Sequence, residues 1–89
     1  MSDSKKYITC KVSHGMLPSE YSVTFQLAGT VLSLFAPRNS VVVKDPKSGG
    51  GLLQVEVIDA DHNVIALPAE TAELGRRFIE YPLDQLRSA

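Results

Sequence analysis

The stretch Ile-Thr-Cys10-Lys-Val-Ser-His14 holds the chain's one cysteine and one of its two histidines, four residues apart. A thiol beside an imidazole is a nucleophile with its base, because the ring can take the thiol proton and leave a thiolate. That chemistry needs the two groups in contact, at about 3 Å. Four residues of extended chain span about 13 Å, and the nearest glycine, Gly15, follows His14 and cannot bend the chain before it. Ile8, Cys10 and Val12 share one strand face, with Thr9 and Lys11 on the other. Cys10 is therefore expected in the core, where a free cysteine packs as a small hydrophobe. His14 is expected in a turn set by Gly15 and Pro18. Met16 and Leu17, two apolar residues in that loop, are read as a plug tucked under the sheet, with a contact surface as the alternative.

Two other segments have the spacing of ligand sites. Asp59, Asp61 and Asn63 fall at the first, third and fifth places of a calcium loop, and Glu70 at the twelfth. The sixth place needs glycine and is Val64 here, Pro68 lies inside the loop, and both flanks alternate as strands do. The segment reads as a hairpin tip and no metal is expected. Lys47-Ser-Gly-Gly-Gly51 has the composition of a phosphate cradle, but such a loop opens a helix, and this one runs into the strand Leu-Leu-Gln-Val-Glu-Val57. It is read as a flexible connection. Asp59 and Asp61 sit in a solvated turn, where nothing tunes a carboxyl for general acid–base work. The expectation is a protein with no catalytic residues and no cofactor.

The elements that must carry these residues show a period of two. Tyr21, Val23, Phe25 and Leu27 alternate with Ser22, Thr24 and Gln26, and Gly29 turns the chain into Val-Leu-Ser-Leu-Phe-Ala36. Strands are expected near 7–13, 21–27, 31–36, 40–44, 52–58, 63–67 and 76–81. One short helical turn is possible near 69–74, between Pro68 and Gly75, and another at Leu83–Leu86. Residues 1–5 are read as a flexible lead-in. Ile8, Cys10, Val12, Val23, Phe25, Leu27, Leu32, Leu34, Val55 and Val57 are the expected core. Seven short strands with polar turns imply an all-β domain, a small SH3-like or similar half-open antiparallel barrel.

The chain has 89 residues, 44% hydrophobic and 21% charged, with a net charge of −1. One domain is expected. The charge balance offers no field to draw the chain to DNA or an anionic membrane. No apolar run approaches the ~18 residues of a spanning helix, and no signal segment is evident, so a cytoplasmic protein is expected. What remains is binding. Val31 and Phe35 fall on the outward face of their strand, Val42 lies in a run apolar on both faces, and Leu52 and Ile58 fall on the nominal outside of theirs. Arg38, Lys44, Arg76 and Arg77 supply cations, and Phe35, Tyr7 and Tyr81 are read as outward aromatics. These imply an interaction module acting by protein–protein contact, with a partner or with itself. The alternative is a barrel that binds single-stranded nucleic acid.

Overall fold

A computed structural model describes residues 5–88; the lead-in expected over 1–5 lies outside them except for Lys5. Among the described residues there are seven strands: β1 Lys6–His14, β2 Glu20–Leu27, β3 Thr30–Pro37, β4 Val41–Asp45, β5 Gly50–Asp59, β6 Val64–Ala66 and β7 Phe78–Glu80. Every pairing is antiparallel. The strands curl into a half-open barrel in the order β3-β2-β1-β5-β6-β7, with β4 off this path on β5. The helical content described is three single 3₁₀ turns, at Arg38–Ser40, Ala60–His62 and Leu83–Gln85. Residues 71–75 form one α-turn, closed by the Gly75 N–H donating to the Thr71 carbonyl at 2.8 Å. No described helix is long and apolar enough to cross a membrane.

Local chemistry explains the connections. Ala28 and Gly29 both take positive φ, 52° and 81°, which is the two-residue turn whose twist matches a hairpin. The connection from β4 to β5, read as flexible, is a hydrogen-bonded turn. The Asp45 carboxylate accepts the N–H groups of Lys47 and Ser48, at 3.0 and 3.4 Å. These contacts, with the Ser48 side chain foremost, hold its pKa below the usual aspartate value. Gly49, at φ 81°, places its carbonyl 2.7 Å from the Val12 N–H and so extends the β1–β5 ladder. Gly50 and Gly51 belong to β5 itself.

The core lies inside the curl. Ile8, Val23, Leu53, Ile65 and Leu67 are fully covered, with Cys10, Phe25, Leu32, Leu34 and Val55 beside them. Val12, Leu27 and Val57 are only partly buried, packed against its rim. Tyr81, expected outside, is a core residue: it meets Phe25 edge to face, with ring centroids 6.2 Å apart. Tyr7 does fall on the outer face, yet it is buried. The C-terminal segment pairs there, with the Tyr7 and Arg87 N–H groups donating to each other's carbonyls at 2.9 and 2.8 Å. Leu52, also on the outer face, is buried as well. β6 and β7 are shorter than expected, because Asn63 takes a left-handed conformation at one end and Pro68 has no N–H at the other.

The two ends of the path from β3 to β7 are treated differently. The β3 edge is latched. The Ala72 N–H donates to the Ser33 carbonyl at 2.8 Å, and the Glu73 carboxylate accepts both the N–H and the hydroxyl of Ser33 at 2.7 Å. Among the described residues, no further strand pairs with β7.

Candidate functional site

The groups with reactive potential are held in structural roles. β1 runs unbroken from Lys6 to His14, so Cys10 and His14 stay about 13 Å apart along it. Cys10 is buried, and burial raises its thiol pKa to about 11, which leaves it protonated at neutral pH. His14 is exposed and pairs with Tyr21 as the last residue of β1, where a turn was expected. At the 59–63 tip, the Asp59 carboxylate accepts the Asp61 N–H at 3.1 Å and meets His62 Nδ1 at 2.8 Å. It caps a 3₁₀ turn. Among the described residues no group of three or more His, Cys, Asp or Glu is arranged to hold a metal.

The seven residues expected at a contact surface are spread over β3, β4 and the turns and loop beside β3 and β7. Val31 and Phe35 are exposed on the outer face of β3, at 52% and 46%. They stand four residues apart, about 13 Å, and Ser33 lies between them with the Glu73 carboxylate fixed on it. A charged group therefore divides the patch. Arg38 is engaged within the chain: its Nε donates to the Pro18 carbonyl, its Nη1 donates to the Tyr21 hydroxyl at 2.9 Å, and its guanidinium lies 4.4 Å from the Tyr21 ring centre. It clamps the β1–β2 loop to the turn after β3. Val42 is half-buried on β4 and Lys44 exposed near its end, with three strands between β4 and β3 in the sheet. Arg77 Nε donates to the Leu67 carbonyl at 2.9 Å, with its guanidinium 5.8 Å from the Phe78 ring. Arg76 is exposed beside it.

Met16 and Leu17 are exposed, at 81% and 59%, and plug nothing. The loop they occupy is pinned by its backbone, through Glu20 N–H to the Leu17 carbonyl and the Met16 N–H to the Glu20 carboxylate. The side chains are left pointing to solvent.

A different apolar surface lies at the open side of the barrel. Phe78 and Leu74 are exposed at 53% and 42%. They line a groove of about 490 Å³ with Leu27, Ala28 and Val64, and Arg76 and Glu80 stand at its rim. The signal for Phe78 was in the alternation: Ile79 and Tyr81 are buried, so Phe78 and Glu80 must face out. Nothing local marks Leu74, which only the 67–77 loop brings to Leu27. A second groove, of about 660 Å³, is lined by Lys5, Lys6 and Arg77 together with Gln54, Glu56 and Pro68. It lies where β4 leaves β5 and β6 has yet to join it. Comparison with protein-family models, with curated proteins and with solved structures finds no match to this chain.

Proposed function

We propose that this chain is a non-catalytic, SH3-like half-barrel that acts by protein–protein contact, in the cytoplasm. The observation that carries the reading is the open side of the barrel. There an uncovered sheet edge, β7, coincides with the exposed side chains of Phe78 and Leu74. Large apolar groups beside unpaired backbone are the combination that a partner chain satisfies, since it supplies hydrogen bonds and covers apolar area together. The buried, protonated thiol of Cys10 and the capping role of Asp59 support the non-catalytic part of the reading.

A second reading, single-stranded nucleic acid, draws on the groove with Lys5, Lys6 and Arg77. Such sites pair cations with aromatic stacking platforms. The nearest aromatic on that strand, Tyr7, is buried, and Glu56 shares the groove. Protein contact is the better supported of the two. The test is capture on the immobilised chain, comparing wild type with Phe78→Ser. Protein retained at high salt by wild type and lost with the variant supports the reading. Nucleic acid retained at low salt and lost at moderate salt, equally with both chains, overturns it in favour of the second.

A further inference from the structure

We infer that two copies of this chain pair through β7, antiparallel about a two-fold axis at Phe78, so that the sheet of one copy continues into the other. This rests on the contact reading above and names the partner as the chain itself.

The direction of the backbone groups comes first. The Leu67 N–H donates to the Arg77 carbonyl at 2.9 Å, and the Tyr81 N–H donates to the Asn63 carbonyl at 2.8 Å. Ile65 stands opposite Ile79. Residues 77, 79 and 81 therefore direct their N–H and C=O groups at β6, and Phe78 and Glu80 direct theirs away from it. β7 ends the strand order, so these groups lie on an open edge.

Proteins manage such edges, and the other two edges here are managed. The β3 edge is latched by Ala72 and Glu73. β4 runs into Lys44, Asp45 and Pro46, with a register shift between Val43 and Asp45; charge, irregularity and proline all discourage pairing. β7 is short and flanked by charge, but among the described residues nothing latches Phe78 or Glu80, and the strand carries an exposed phenylalanine at its centre.

The flanking charges then select the occupant. In an antiparallel pair centred on Phe78, Phe78 meets its own copy, and Arg76 of each chain stands opposite Glu80 of the other. Symmetry makes the ion pair twice. Residues 76, 78 and 80 share one face, so both ion pairs flank the Phe–Phe contact on that face. Phe78 and its copy exchange two backbone hydrogen bonds, and Glu80 with Arg76 of the second copy supplies others. The Arg76 carbonyl already accepts the Thr71 N–H at 3.2 Å, and a carbonyl has a second lone pair. The groove beside β7 is bordered by the same three residues, Arg76, Phe78 and Glu80.

The experiment is sedimentation of wild type, R76E, E80R and the double reversal R76E/E80R over a range of concentrations at low salt. Arg76 and Glu80 are exposed, so thermal midpoints should stay close to wild type. Wild type should dimerise with rising concentration. Each single reversal should weaken the dimer about tenfold or more, because two attractive pairs become repulsive. The double reversal should return the dimerisation constant to within about threefold of wild type, since it restores opposite charges across the axis. E80Q, which keeps the shape and removes the charge, should give an intermediate loss. A monomer at every concentration overturns the inference, and so does a dimer that ignores the reversals. A monomer whose Phe78-dependent capture of another protein persists would overturn the inference and leave the contact reading standing.

Discussion

The run Gly49-Gly50-Gly51 has three neighbours of one residue type in three different situations, and replacing each by alanine separates them. A Cβ at Gly51 would lie 2.7 Å from Val12 Cγ2 and 2.8 Å from the Val42 carbonyl oxygen. Val12 can change rotamer, but the carbonyl belongs to β4, so β4 must move away from β5. Overpacking of this kind costs about 1–3 kcal/mol. In a domain this size each kcal/mol lowers the melting temperature by roughly 4–8 °C, so Gly51→Ala should lower it by about 5–20 °C. At Gly50 the nearest atoms to a Cβ are Ser48 Oγ at 3.4 Å and Asp45 Cβ at 3.8 Å, ordinary contacts. Gly50→Ala should be neutral or stabilise by up to about 1 kcal/mol, because it removes freedom from the unfolded chain. Gly49→Ala should cost about 1–2 kcal/mol, since its φ of 81° is a conformation alanine disfavours. Thermal unfolding by circular dichroism reads all three. Equal, small shifts at the three positions would mean that the segment is a slack linker and that the packing described for β1, β4 and β5 is wrong.

Cys10 should resist a thiol reagent in the native state and react rapidly in denaturant; fast native labelling would contradict its burial. Its pKa is raised from 9.0 to about 11, so the thiol stabilises the fold below pH 9, and that contribution is lost as pH rises towards 11. The stability gap between wild type and Cys10→Ala should narrow over that interval. Glu73 titrates in the opposite sense. The Ser33 hydroxyl, and then its N–H, hold the Glu73 carboxyl below the usual value. Its contribution is present above the ordinary glutamate range and fades as pH falls through the lowered value. The difference in melting temperature between wild type and Glu73→Gln should be clear at neutral pH and shrink in acid. A difference independent of pH would remove the latch.

The long strands were legible because each carries several alternations. β1, β2, β3, β4 and β5 fall within two residues of their expected bounds. β6 and β7 have three residues each, too few for the pattern to set their ends. Tyr81 could have been placed from its parity with Ile79, which puts both on the inner face. Tyr7 could not: it is buried through Arg87, at the far end of the chain. The order of the sheet was also hidden, since alternation marks a strand without naming its neighbours. The pairing of β1 with β5, in place of β3 with β4, departs from a simple meander. That order decides which edges are open, and so the surface at β7 could be seen only once the chain was folded. Val31 and Phe35 were rightly placed outside, but the carboxylate that divides them comes from a loop forty residues away.

The most direct test of the open edge is amide hydrogen exchange followed residue by residue as protein concentration rises. At low concentration Ile79 and Tyr81 should be protected by β6, while Phe78 and Glu80 exchange quickly, because their N–H groups face away from it. At high concentration Phe78 and Glu80 should gain protection. Contradiction would come from Phe78 and Glu80 exchanging at the same rate throughout while another edge, such as Val41 and Val43 of β4, becomes protected instead.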